Sequence, residues 1–237
     1  MGSAAHCSRP PHLSHNRQSV GQDRRHMAWK KDCLMRLPLI FAAALALSPA
    51  IAQTQPLPQL FDVTGVEAGD VLNIRATPSA SAEIIGTLDR DARGVEIVAA
   101  NPEGTWGQVN TAETAGWVNL RYMDARGVHI DNFNLPDELF CYGTEPFWSV
   151  QNVGGALHFD TPDAPARDLE LWMAQDSGIA EDLRRMVQFA GIGGPGMAFI
   201  YPAACNDGMS DRAFGLSISL MTAPTGPMLS GCCSLSR

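Results

Sequence analysis

The chain has 237 residues, with 17 Lys and Arg against 25 Asp and Glu, so its formal net charge is −8. From Gln53 onward it holds ten arginines, no lysine and 23 acidic residues, a net charge of −13. This charge repels phosphate backbones and anionic membrane surfaces, and we therefore expect no nucleic-acid partner.

Residues 1–34 show no apolar periodicity and hold four of the six histidines, namely His6, His12, His15 and His26. We interpret this stretch as an N-terminal extension that results from a start codon assigned too early, with Met27 or Met35 as the true start. A histidine-rich metal-binding tail is the alternative, although the spacing of these histidines is irregular.

Residues 35–52 have the pattern of a cleavable signal peptide. Arg36 precedes the apolar run Leu37–Leu47, and Ala50–Ala52 offers a small-x-small site before Gln53. The run is shorter than the ~20 apolar residues that a bilayer span needs. We therefore expect cleavage at Ala52/Gln53 and a periplasmic or secreted protein with no stable membrane span; an uncleaved anchor is the alternative.

Four cysteines follow the signal segment: Cys141, Cys205, Cys232 and Cys233. An even number of cysteines in an exported chain predicts two disulfides. A Cys232–Cys233 pair is disfavoured because neighbouring Cα atoms lie too close for ordinary disulfide geometry, and two connectivities remain. Metal ligation is the alternative, but the sequence offers no C-x-x-C knuckle, and we expect no metal and no cofactor.

Residues 53–60 are polar and proline-rich, and they predict a linker. Residues 61–124 alternate short apolar runs with turn signals, and the close, regular spacing of the runs predicts a small all-β barrel. The predicted strands are Val71–Arg75, Ile84–Leu88, Val95–Ala99, Trp106–Val109 and Gly116–Leu120.

Residues 69–123 carry the motifs L-N-I-R-x-x-P-S, I-I-G-T-L, V-E-I-V, W-G-Q-V and G-W-V-N-L-R-Y-M. In this order they resemble a bacterial SH3 (SH3b) domain. The resemblance implies an SH3-like barrel with a groove that binds peptides, especially those of the cell wall, rather than a catalytic centre. Carried over by position, it assigns Arg75, Trp106, Trp117 and Tyr122 to that groove. Packing roles for the two tryptophans and a surface ion pair for Arg75 are the alternatives.

Residues 125–139 are polar and predict a second linker, and residues 140–237 predict a β-rich domain. Its predicted strands are Phe147–Val150, Ala156–Phe159, Leu169–Met173, Ala198–Tyr201 and Phe214–Leu220. A capping serine and apolar residues spaced for one face predict one short helix at Ser177–Phe189. Gly191–Gly196 predicts a flexible loop.

Three motifs of this second domain are G-T-E-P-F-W at 143–148, C-N-D-G-M-S-D at 205–211 and G-C at 231–232. Together they resemble an uncharacterised family of bacterial envelope proteins. The resemblance implies a β-rich, disulfide-stapled domain with no assigned reaction. It also implies that Cys205 pairs with Cys232, which leaves Cys141 to pair with Cys233.

Four motif residues have no assigned role: Glu145, Trp148, Asp207 and Asp211. The three carboxylates would form a cluster for acid–base catalysis or calcium, whereas turn chemistry around Asn-Asp-Gly is the simpler interpretation. His129 and His158 do not have the spacing of a zinc hydrolase.

The sequence as a whole predicts a mainly β protein, with a small SH3-like barrel followed by a second β-rich, disulfide-stapled domain and at most one short helix. We predict an exported, non-catalytic binding or adaptor protein of the cell envelope. Its predicted ligand is a peptide or peptidoglycan, with an envelope protein as a further candidate partner. The alternatives are an envelope hydrolase or a hydrolase inhibitor, with that function in the C-terminal domain.

Overall fold

The computed structural model describes residues 56–236. The predicted extension at 1–34, the predicted signal peptide at 35–52 with its cleavage site, and residues 53–55 of the first linker lie outside the described residues. Within residues 56–236, no helix is long and apolar enough to cross a membrane.

Short runs of alternating residues form the first β unit, which we call the N-terminal module (residues 59–125). Its strands are β1 (Gln59–Val63), β2 (Val71–Arg75), β3 (Ile84–Asp89), β4 (Val95–Ile97), β5 (Ala99–Ala100), β6 (Trp106–Thr111), β7 (Thr114–Asn119) and β8 (Met123–Ala125), with a 3-10 turn at Leu120–Tyr122. They form one sheet in the order β4-β1-β8 and another in the order β3-β2-β7-β6-β5. Buried side chains of both sheets share one core. The five predicted strands are confirmed, with the third divided into β4 and β5. β1 and β8 are additional, and β1 begins at Gln59, inside the linker predicted at residues 53–60.

The second β unit is an eight-stranded closed barrel, which we call the C-terminal barrel (residues 140–234). Its strands are β9 (Phe140–Thr144), β10 (Phe147–Asn152), β11 (Ala156–Thr161), β12 (Ala164–Gln175), β13 (Arg185–Gly191), β14 (Gly194–Cys205), β15 (Phe214–Met221) and β16 (Leu229–Ser234). Each strand pairs antiparallel with the next, and β16 pairs with β9. An eight-stranded barrel is just wide enough to be filled by side chains, and buried aliphatic and aromatic residues fill this one. The predicted mainly β fold is confirmed.

The helix predicted at Ser177–Phe189 is wrong. The chain turns at residues 177–182, where Gly178 and Glu181 have positive φ angles of 71° and 62°. It then enters β13, which pairs with β12 and β14. Val187 and Phe189 are fully buried, as alternation in a strand requires. The apolar spacing of this stretch fits both a helix and a strand, and sheet pairing on both sides selects the strand.

The flexible loop predicted at Gly191–Gly196 is also wrong, because these residues form the tight hairpin between β13 and β14. Gly191 pairs with Gly194, and Gly193 turns the chain with a φ of 80°. A side chain at Gly196 would overlap the buried ring of Phe189. The glycines therefore shape a hairpin and its packing.

Two disulfides staple the barrel, as predicted. Cys141 on β9 bonds to Cys233 directly opposite on β16, and both are fully buried. Because β9 and β16 are the first and last strands, this seam disulfide ties the barrel closed. Cys205, at the end of β14, bonds to Cys232 and so reaches across β15 to β16. This is the pairing that the envelope-family resemblance implies.

The predicted second linker packs against one end of the barrel. Leu135 and Leu139 belong to the barrel core and are 0% and 2% exposed. The side-chain amide of Asn152 donates to the carbonyl of Pro136 at 2.9 Å, and Arg185 donates through Nε to the carbonyl of Asn134 at 2.7 Å. The segment is polar in sequence, yet Leu135 and Leu139 point into the barrel core while Phe133 stays exposed.

Direct contacts join the module to the barrel. The side chain of Asn110 on β6 exchanges two hydrogen bonds with the backbone of Ala213, at 2.8 and 2.9 Å. The backbone N–H of Asp211 donates to the carbonyl of Glu113 at 2.9 Å. The β6–β7 hairpin is thereby fixed to the loop that precedes β15.

Candidate functional site

A groove of about 340 Å³ on the N-terminal module, the module groove, collects three of the four residues assigned by the SH3b resemblance. Arg75, Trp106 and Tyr122 line it, together with the loop that precedes β2. Trp117 is not part of the lining, although it lies directly opposite Arg75 in the sheet. Three of the four assigned residues thus line one groove, and their role in binding stays a prediction.

Strand alternation explains how these side chains reach the groove. Gly107 and Val109 on β6 are buried, so Trp106 lies on the outer face of the five-stranded sheet. Asn119 on β7 lies directly opposite Trp106 and also lines the groove. Trp106 and Trp117 are half-buried on this face and lie outside the module core.

Two arginines give the module groove its cationic groups. Arg75 donates through Nη1 to the carbonyl of Ala82 at 2.7 Å, which holds the following loop and fixes the guanidinium. The guanidinium of Arg121 lies 4.7 Å above the ring of Tyr122, a cation–π contact. The acidic residues Glu67 and Asp70 lie on the lining as well. The groove thus combines aromatic surfaces with charges of both signs.

A larger groove of about 820 Å³, the barrel groove, lies on the outer face of the C-terminal barrel. Its floor is formed by β9, β15, β16 and the end of β14. Glu145 on the β9–β10 turn, Phe147 at the start of β10 and the loop at 206–209 form parts of its rim. All three motifs of the envelope-family resemblance contribute to this lining, although they lie far apart in sequence.

Asp207 organises the loop on the rim of the barrel groove. Its carboxylate accepts hydrogen bonds from the Tyr142 and Ser210 hydroxyls and from the backbone N–H groups of Met209 and Ser210, at 2.8 to 3.0 Å. Desolvation acts to raise the pKa of Asp207, but these four hydrogen bonds outweigh it and lower the pKa to about 2. Burial, and then the bond to Asp207, raise the pKa of Tyr142.

Trp148 lies inside the barrel beneath the groove floor and is only 4% exposed. A Cβ at Gly143 would overlap the indole nitrogen, and a Cβ at Gly231 would lie 2.8 Å from the indole ring. The first and third motifs therefore each supply a glycine against which the indole packs. This gives Trp148 a structural role as support for the floor.

The three motif carboxylates do not share one site. Glu145 and Asp207 both line the barrel groove, whereas Asp211 is absent from its lining and its backbone bridges to the module beside Thr114. Among residues 56–236, no group of three or more His, Cys, Asp or Glu side chains is arranged to hold a metal ion.

Several lining residues were not singled out in the sequence. They are Asn73, Asn119 and Arg121 in the module groove and Tyr142, Tyr201, Ser217, Ser219 and Ser230 in the barrel groove. Alternation along β15 is the one usable signal, because Ser217 and Ser219 interrupt an apolar run at every second position. No known family model, curated protein or solved structure matches this chain.

Proposed function

We propose that the protein is an exported, non-catalytic binding or adaptor protein whose module groove binds a peptide, including the peptide part of cell-wall peptidoglycan. The observation that carries this proposal is the convergence of Arg75, Trp106 and Tyr122 on one groove. The two disulfides support an oxidising compartment, which for this proposal is the periplasm or the exterior of the cell.

The chemistry of the module groove suits a short peptide with an apolar side chain and a carboxylate. The rings of Trp106 and Tyr122 supply apolar area at a small entropic cost. Arg121 and the N–H groups of Arg75 that do not bond to Ala82 offer donors to a carboxylate. Asn73 and Asn119 add side-chain amides that can bond to peptide groups.

A binding role is favoured over a catalytic one by the low pKa and the hydrogen bonds of the Asp207 carboxylate. A general acid or base must exchange a proton near neutral pH, and its pKa must lie near the working pH. The pKa of Asp207 is about 2, and its oxygens already accept four hydrogen bonds. We therefore assign Asp207 to the support of a loop.

The test uses the chain from Gln53 to Arg237 with both disulfides formed. Its affinity for the free stem tetrapeptide of peptidoglycan is measured by calorimetry, and its retention on purified sacculi by co-sedimentation. We expect Trp106→Ala and Arg121→Ala each to weaken tetrapeptide binding about ten-fold, since either change removes a desolvated contact of about 1.4 kcal/mol.

Trp117→Ala is the matched control, because Trp117 lies on the same sheet face but outside the groove lining. It should leave the affinity for the tetrapeptide within about two-fold of the parent, well below a ten-fold step of 1.4 kcal/mol. Absence of tetrapeptide binding by the parent chain, or an equal loss in Trp117→Ala, would overturn the proposal.

A further inference from the structure

The barrel groove has a lining that differs in chemistry from the module groove. No lysine, arginine or histidine is among its lining residues. Ligands that carry phosphate or carboxylate groups would meet no cation there, and they would face the carboxylate of Glu145 on the rim. A favoured ligand therefore has no negative charge.

The floor of the barrel groove presents an array of hydroxyl groups. Ser219 on β15 lies directly opposite Ser230 on β16, and Ser217 lies two residues from Ser219 on the same face. Within residues 56–236, the side chains of these three serines form no hydrogen bond with another residue. Each hydroxyl can both donate to and accept from a ligand hydroxyl.

Aromatic rings flank this array. Tyr201 lies opposite Ser217 in the sheet and lines the groove, and its ring stacks on that of Phe199 with centroids 5.3 Å apart. Phe147, at the start of β10 on the rim, is 53% exposed and also lines the groove. Exposed rings of this kind offer flat apolar surfaces beside the polar floor.

The floor is also rigid and offers no backbone edge. Every strand of the closed barrel is paired on both sides, so an extended peptide cannot add to the sheet as a further strand. The Cys205–Cys232 disulfide, the Asp207 hydrogen bonds and the packing of Trp148 hold the floor and the rim in place. Recognition must come from side-chain hydroxyls and rings.

We propose that the barrel groove binds a neutral oligosaccharide, with sugar hydroxyls on the serine array and an apolar sugar face against Tyr201. A groove of about 820 Å³ is within the size of small-ligand sites and accommodates several sugar rings. The site shares no residue with the module groove, and it does not depend on the proposed peptide function.

The experiment titrates the chain from Gln53 to Arg237 with tetra-N-acetylchitotetraose and with cellotetraose, using calorimetry and saturation-transfer NMR. We expect saturable binding of at least one tetrasaccharide. Tyr201→Ala should weaken it about ten-fold, and the double variant Ser217→Ala/Ser219→Ala about five-fold, in line with the loss of one ring contact or of two hydrogen bonds.

Trp172→Ala is the matched control, since Trp172 is an exposed aromatic residue of the same barrel outside the groove. It should leave saccharide affinity unchanged, and Trp106→Ala should do the same. The serine variant retains both rings, so it tests the site even if Tyr201→Ala does not fold.

Three results would overturn the proposal: no saturable binding of either tetrasaccharide, unchanged affinity in both groove variants, or binding of tri-lysine that Glu145→Gln abolishes and Tyr201→Ala does not. The last result would indicate a cationic ligand instead. Loss of tetrapeptide binding in Trp106→Ala with saccharide binding retained separates this site from the module groove.

Discussion

The N-terminal module and the C-terminal barrel differ in whether their sheets have unpaired edge strands. The module has two small sheets with ends and no cysteine, and loops and a 3-10 turn form much of its groove. The barrel has no free edge, two disulfides and a groove built largely on strands. The comparison shows that continuous strand pairing and two disulfides restrain the barrel, whereas the module has sheet ends and no cysteine.

The largest expected effect comes from removal of the seam disulfide. Cys141→Ala/Cys233→Ala releases a loop with a sequence separation of 92 residues, against 27 for Cys205–Cys232. Loop-closure entropy predicts a loss of about 4.6 kcal/mol for the seam bridge and about 3.6 kcal/mol for the other. Urea unfolding of both double variants measures the difference. An equal or smaller loss for the seam variant would contradict the prediction that the longer loop gives the seam disulfide the larger contribution to stability.

A second prediction concerns the pH dependence of the free energy of unfolding, through Glu96, which lies where the module meets the C-terminal segment of the chain. Glu96 on β4 is buried, and desolvation raises its pKa from 4.5 to about 7, although a hydrogen bond with the Leu235 backbone and the charge of Arg212 lower it. The protonated form is favoured in the folded state. Its stabilisation is therefore complete below pH 4.5 and declines as the pH rises to about 7, by about 3 kcal/mol.

Glu96→Gln should remove this decline, so that the variant is more stable than the parent at pH 8 and similar to it at pH 4.5. Unfolding free energies at four values of pH measure it, with the exposed Glu103→Gln as the matched control. The same pH slope in the parent and in Glu96→Gln would show that another group is responsible. Asp207 does not interfere, because its stabilisation is lost only as the pH falls from 3.8 towards 2.

The smallest expected effect tests the glycine packing beneath the barrel groove. Gly143→Ala places a methyl group against the Trp148 indole and 2.6 Å from the Ser230 carbonyl. Overpacking of this kind costs about 1–3 kcal/mol. Gly226→Ala is the control, since its nearest neighbour would lie 3.6 Å away. Equal melting temperatures for the two variants would rule out a packing role for Gly143.

Local patterns were sufficient for much of the fold. Turn signals and two-residue alternation located the five strands of the module that the sequence predicted. Buried and less buried residues alternate along β2, β6 and β7 as this pattern requires, whereas β3 has no buried residue and β4 has two in succession. Sequence periodicity failed at residues 177–189, where the apolar residues fit both the helical period of 3.6 residues and the strand period of two over a short stretch. It also missed β9 and β16, the two strands that meet at the seam. A glycine lies near the centre of β16, and pairing with its neighbours and the disulfides hold this strand in place.

Some residues of the two grooves could be predicted from sequence motifs, and others only the structure revealed. Arg75, Trp106 and Tyr122 were predicted because each lies in a motif, whereas Arg121 was not, although it is adjacent to Tyr122. In the barrel, Glu145 and Asp207 were noticed as motif members without a role. The carboxylate of Asp207 accepts a hydrogen bond from the hydroxyl of Tyr142, 65 residues away, which explains why no local pattern could supply that role.

Three properties of this protein follow from the sequence by itself: an acidic chain after a predicted signal segment, a strand-rich pattern, and four cysteines suited to two disulfides. These are properties of single residues and of close neighbours along the chain. Only the tertiary structure decided that eight strands close into a barrel and that three distant motifs line one groove. It also decided that Trp148 supports the floor of the barrel groove and that Trp117 lies outside the lining of the module groove. Such outcomes depend on strand register and on contacts between residues far apart in sequence, and no local pattern encodes these.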